Sequence, residues 1–233
     1  TPVVSSDLRS ASRDAQAALI EKFDSVSSGM SGDALSTLSD ELASVAKLLV
    51  AEPILARHLA EASGETEAKK QLLQRLLAGK VSDTTLEVLN TAASVRWSLT
   101  SDLVDAVEHI ARLSLLTRAE RDGQADEVEE QLFRFSRVLD AQPQLTSLLG
   151  DYSKPAQGRV ELVRKVMSQD HGANATATAL LAQTVDLLRG KRADEAVLAL
   201  AQLAVARRGE IVAQVSAATD LSDAQRSRLD QLL

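Results

Sequence analysis

Few residues in this chain have a type and spacing that suit chemistry. Asp105 and His109 stand four apart, which puts both on one helix face at the separation used by two-ligand metal sites and acid–base pairs. Two ligands do not hold a metal, and with Glu108 and Arg112 beside them the group reads as a solvated, salt-bridged face. Gly79-Lys80 and Gly190-Lys191 contain the Gly-Lys pair of a phosphate-binding loop. Gln74 and Val185 stand where the first glycine of such a loop would turn the backbone, and neither lysine is followed by Ser or Thr. Each pair reads instead as a helix-ending glycine followed by a basic residue. Arg189, Lys191 and Arg192 could hold an anion, but a net charge of −7 repels polyanions, so nucleic acid is excluded as a partner. His58 has no carboxylate at metal spacing and His171 lies in the loop Gln169-Asp170-His171-Gly172, so both read as surface or boundary residues, and the absence of cysteine removes thiolate sites, Cys nucleophiles and disulfides. Nothing selects a serine triad, a carboxylate pair or a Schiff-base lysine. The expectation is a protein with no catalytic residue, no cofactor and no metal.

The elements around these residues are helical. Of 233 residues, 45% are hydrophobic and five aromatic, and Gly and Pro are sparse at 10 and 4. Such a mixture favours helix over strand and is long enough for one large or two small cores. Leu8, Ala11, Ala15, Leu19 and Phe23 form one stripe that stops before Ser27-Ser28-Gly29. Leu35, Leu38, Leu42, Val45 and Leu49 form a second, broken at Glu52-Pro53, where Pro53 suits the first turn of a new helix. Gly64 closes that short piece, and a helix with Glu65 and Glu67 at its start and Arg75 near its end stops at Gly79. Ser82 caps a helix carrying Leu86, Leu89 and Ala93, and a longer one follows Trp97, itself read as a core anchor. That makes six helices in the first half. No apolar run is long enough to cross a bilayer.

The pattern then repeats. Leu48-Leu49-Val50-Ala51-Glu52-Pro53-Ile54-Leu55 aligns with Val138-Leu139-Asp140-Ala141-Gln142-Pro143-Gln144-Leu145 at an offset of 90 residues, and Leu59 and Leu72 meet Leu149 and Leu162. The offset drifts to 93 by the time Arg96 meets Arg189, Val104 meets Val197 and Ile110 meets Leu203. No counterpart of the first helix is evident, because residues 124 to 129 lead straight into the Leu132, Phe135, Leu139 stripe. After Arg207-Arg208-Gly209, the run Ile211–Ser216 alternates and reads as a short strand whose pairing partners lie elsewhere. Ser222 and Gln225 are spaced as a capping box for a last helix. The expected fold is all-α: two tandem related bundles, residues 1–122 with six helices and residues 123–209. A short strand and a helix then fill residues 210–233.

The run Val215-Ser216-Ala217-Ala218-Thr219-Asp220-Leu221-Ser222-Asp223-Ala224-Gln225 resembles the V-x-S-A-x-x-L-S-x-x-Q signature of the delta subunit family of F-type ATP synthase, whose mitochondrial members are the oligomycin sensitivity-conferring proteins. Residues 7 to 116 resemble that family's six-helix N-terminal domain, including the helix broken at Pro53 and the basic helix at Lys69-Lys70. On this resemblance the copy at 124–208 is an addition, as in enlarged bacterial forms fused behind a membrane-anchored b-type helix. The missing initiator Met fits a segment of such a fusion, and the family's β-containing C-terminal region would follow Leu233.

The resemblance implies a stator connector in proton-driven ATP synthesis. Its implied partners are N-terminal segments of the alpha subunits of the catalytic head and the b-type stalk helices. It would lie at the cytoplasmic side of the cell membrane, touching the membrane only through the stalk. In that family an amphipathic alpha-subunit helix lies in a groove flanked by the first and fifth helices. The expected protein-binding face is therefore Ala11, Ala15 and Leu19 with Leu86, Leu89 and Ala93, forming or backing the contact. The competing readings are an α-solenoid-like adaptor for helices of unrelated proteins and a helical enzyme whose site assembles from distant residues.

Overall fold

A computed structural model of the chain describes residues 10–61, 65–169 and 172–217. All regular elements among them are helices. The first six are α1 (Ser10–Ser27), α2 (Gly32–Ala51), α3 (Pro53–Ala60), α4 (Thr66–Leu77), α5 (Asp83–Ser94) and α6 (Thr100–Arg121). Five more follow: α7 (Ala125–Ala141), α8 (Pro143–Leu149), α9 (Ala156–Ser168), α10 (Ala175–Asp186) and α11 (Ala193–Ala217).

Local chemistry sets the boundaries. Ser31 and Ser82 accept from the third backbone N–H of α2 and α5, at 3.2 and 3.3 Å, and Asn174 accepts from Thr176 and Ala177 at the start of α10. Pro53 and Pro143 open α3 and α8, where a missing N–H costs no hydrogen bond. Gly79 and Gly123 sit at left-handed φ of 73° and 68° just past α4 and α6, as helix-ending glycines do. Gly190, also left-handed, lies instead in the turn between α10 and α11, not directly at a helix end.

The series α2 to α6 and α7 to α11 follow one plan, and two polar devices recur at matching positions. Lys69 of α4 is buried and donates to the carbonyls of Leu59 (3.3 Å) and Glu61 at the end of α3. Arg159 of α9, 90 residues on, is buried and donates to Leu149 (3.4 Å) at the end of α8. In each repeat a cation meets the carbonyl-rich, negative end of the short helix. Glu41 of α2 accepts from the Ser82 N–H at 3.0 Å, and Gln131 of α7 accepts from the Asn174 N–H at 2.8 Å. These pairs tie the start of α5 to α2 and the start of α10 to α7.

Helix α6 departs from a one-sided amphipathic helix: 15 of its 22 residues are buried. It packs along α2 and also touches α1, α3 and α5, while α10 and α7 cover it from the other repeat. A helix covered on several sides loses its polar face. This also corrects the expectation that the second repeat lacks a first helix, because α6 lies against α10 as α1 lies against α5. The single helix closes one repeat and opens the next, and a single apolar cluster runs through both, from Ala15 to Ala204.

The strand expected at Ile211–Ser216 is overturned, since α11 runs unbroken from Ala193 to Ala217. A solitary strand leaves its backbone groups without partners, whereas continuing the helix satisfies them internally. The helix expected from Ser222, the Gly64 stop and His171 lie outside the described residues.

Candidate protein-docking surface

The six residues expected on the α1 and α5 face divide by burial. Ala15, Leu19, Leu86, Leu89 and Ala93 all belong to the core, with exposures of 6% or less, and Ala11 is half-buried. Five of them therefore back the surface. The exposed positions above them are Asp14, Glu21 and Ser25 on α1 and Glu87 and Ser94 on α5, with Ala18, Lys22, Asn90 and Thr91 half-buried between. Lys22 spans from α1 to Glu87 of α5 at 2.7 Å. Beneath this face, buried Ser12 donates to Asp102 at 2.6 Å and accepts from the Ser98 N–H at 2.8 Å, fixing α1 against the start of α6. Trp97 is buried, and its indole N–H donates to the Ala92 carbonyl at 2.8 Å, which makes it the anchor expected of it.

The Asp105–His109 region is salt-bridged but not solvated as expected. Glu108 is 1% exposed and His109 is buried, because the turn after α10 closes over this stretch of α6. Arg189 of that turn pairs with Asp105 and, at 2.7 Å, with Glu108, while Arg112 approaches Glu108 at 3.5 Å and Lys191 approaches Asp105 at 3.2 Å. Burial pushes the Glu108 carboxyl above the ordinary glutamate range, opposed by Arg112 and Arg189. Arg192 pairs with Asp194 at 2.6 Å. The basic cluster that could have held an anion is thus spent on the chain's own carboxylates. Reasoning from sequence missed this network, because its two sides come from α6 and from a turn some 80 residues later.

His58 is exposed, as expected of a surface residue. Among the described residues, no group of three His, Asp or Glu side chains is placed to hold a metal ion, and no helix is long and apolar enough to cross a membrane. What the chain presents is helical surface, acidic over α1 and α5 and apolar in places elsewhere, such as Leu198 and Val205, seven apart on α11.

The family model described as ATP synthase delta (OSCP) subunit matches residues 112–233. The chain belongs to this family. The chain is also similar to "ATP synthase subunit b-delta" of Mycobacterium sp. strain KMS, 53% identical over 230 residues, which is 99% of this chain and 52% of the relative. The protein of the same description from Mycobacterium sp. strain JLS matches equally, at 53% over 230 residues. The chain spans about half the length of these relatives. The family match begins inside α6 and continues over α7–α11, so it falls on the second repeat. This corrects the expectation that the second copy is an addition to the ordinary family domain at 7–116, since the second copy is the part the family model matches. Sharing α6 between repeats explains the ambiguity, since either half presents a six-helix unit once α6 is counted with it.

Proposed function

We propose that this chain is a non-catalytic stator segment of an F-type ATP synthase, linking the catalytic head to the membrane-anchored stalk and resisting rotor torque. The observation that carries this reading is the 53% identity, over nearly the whole chain, to proteins described as subunit b-delta. The material properties agree with it: capped helices, a continuous core and ion pairs that join the two repeats suit a part that must transmit force without yielding.

Its partners on this reading are N-terminal segments of the head's alpha subunits, received at the α1/α5 face, and b-type helices. It works at the cytoplasmic side of the cell membrane, reaching the membrane only through the stalk. We further propose residues 1–122 and 123–209 as related units, with residues 210–233 opening a C-terminal region.

The test is binding of the chain to a catalytic head prepared with and without the alpha N-terminal segments. Loss of binding on their removal is expected. Unchanged binding favours a general helix adaptor, and retention of full coupling by an enzyme lacking this segment rejects the stator reading.

A further inference from the structure

Between the repeats lies an open cleft of about 190 Å3 walled by α2, α9 and α10. Helix α9 packs on α10 and α8 but not on α2, so the cleft holds it apart from the first repeat. Four charged side chains line the cleft: Asp40 and Lys47 of α2, Arg164 of α9 and Asp186 of α10. Lys47 and Asp186 are paired with each other. Asp40 and Arg164 are opposite in sign and exposed, and neither side chain has a hydrogen bond or ion pair among the described residues. Partial burial, and after it the Glu41 carboxylate, push the Asp40 carboxyl above its ordinary range, as befits an acid with no cation against it.

A third group in the same walls is unsatisfied. Ser39 spends its hydroxyl proton on the Ala111 carbonyl at 2.7 Å, so towards Gln183 it can only accept, and the Gln183 amide donates to it at 2.9 Å. That fixes which end of the Gln183 amide faces Ser39 and leaves the carbonyl oxygen over. The oxygen is buried and has no donor among the described residues, and Gln183 is one of the residues lining the cleft. A buried acceptor without a donor carries an uncompensated desolvation cost.

Arg164 has the chemistry that both groups lack. Its guanidinium offers five N–H donors in one plane on a long flexible stem, enough to meet a carboxylate and an amide oxygen together. The repeat points the same way. The residue 90 positions earlier, in α4, is Gln74, so the cation is particular to the copy that has another repeat across the cleft.

We propose that Arg164 is a strap between the repeats: the cleft closes as its guanidinium swings in to pair with Asp40 and to donate to Gln183, tying α9 to α2. An ion pair at the mouth of a cleft stays partly in water, where its gain barely exceeds the side-chain freedom it costs, so open and closed forms are both populated. The strap is independent of the stator reading, because all three groups belong to this chain.

The chain has no cysteine, so Thr37→Cys on α2 and Ser168→Cys on α9, both at exposed positions, take nitroxide labels without competition. Double electron–electron resonance is expected to show two distance populations. The shorter is lost in Arg164→Gln and in Asp40→Asn and thinned by high salt, with the circular dichroism spectrum unchanged. In parallel, Arg164→Lys places an amine at the same point of the cleft. Zero-length carbodiimide coupling, read by mass spectrometry, is then expected to join position 164 to Asp40, with coupling of Lys47 to Asp186 as the internal control. A single distance that neither substitution moves, or coupling at Lys47 with none between position 164 and Asp40, overturns the proposal. So does a short-distance population that survives Arg164→Gln, since the cleft then closes without the strap.

Discussion

Among the described residues, Arg189 is the non-glycine residue with a left-handed backbone. Its φ of 48° is left-handed, a region that costs a side chain with a Cβ about 1 kcal/mol, and its guanidinium is held by Asp105 and Glu108. The ion pairs and the strained turn stand or fall together. Arg189→Ala keeps the strain and leaves Glu108 with Arg112 as its remaining partner. It is expected to cost about 2 kcal/mol in urea unfolding, because buried Glu108 loses one of its two compensating cations while Arg112 remains. Arg189→Gly loses the same charge but relaxes the backbone, and is expected to cost about 1 kcal/mol less than the alanine variant. Equal losses would show that the turn is not strained.

Glu108 itself gives a dependence on pH. Burial holds its carboxyl above the ordinary glutamate value of 4.5, so across the range just above 4.5 the folded chain keeps a proton that the unfolded chain has released. Stability attributable to Glu108 therefore falls as pH rises through that range, and Glu108→Gln abolishes this contribution. Glu120 and Asp40 are raised by burial in the same direction, but they are present in both proteins and cancel in the difference. The gap between the two urea midpoints, measured from acid to neutral pH, is expected to shift against the native protein as pH rises. A gap independent of pH sinks the assignment.

At the scale of elements, the paired cations give a sharp comparison. Lys69→Met and Arg159→Met each remove the donor that closes the end of a short helix, and each is expected to lower stability by about 2 kcal/mol, additively in the double variant. Burial holds the Lys69 ammonium below its usual value, so the carbonyls of Leu59 and Glu61 compensate a real desolvation cost. A loss in one repeat and none in the other would break the equivalence. The helix-break-helix order around Pro53 and Pro143 was legible in sequence because proline and capping signals act within a few residues. The ion pair of buried Glu108 with Arg189 and the exposures of Ala15 and Leu89 were not, because burial depends on which helix arrives from elsewhere in the chain. The alternation at Ile211–Ser216 misled for a related reason: β-branched residues tolerate helix when no neighbouring strand competes for their backbone.

At the scale of the molecule, the shared α6 makes a mechanical argument. Two bundles joined by a linker hinge at the linker, and load passing from one to the other is lost in that motion. Here the last helix of one repeat is the first of the next, α2 packs on α6 and also reaches α10, and Arg207 of α11 reaches back to Glu120 of α6 at 3.1 Å and Asp24 of α1 at 3.4 Å. Bending between repeats would have to break α6 or strip α2 from α10, so the repeats are expected to unfold together. Trp97 reports only on the first repeat, whereas helical circular dichroism reports on both, so the two signals should trace one urea transition with a common midpoint. Val107→Ala, a cavity in the middle of α6 at a fully buried site, should move both signals by the same amount, about 1 to 2 kcal/mol. If the fluorescence transition moves while a separate dichroism phase stays behind, the second repeat stands without α6, and a stiff connector would have to draw its rigidity from other proteins bound around it.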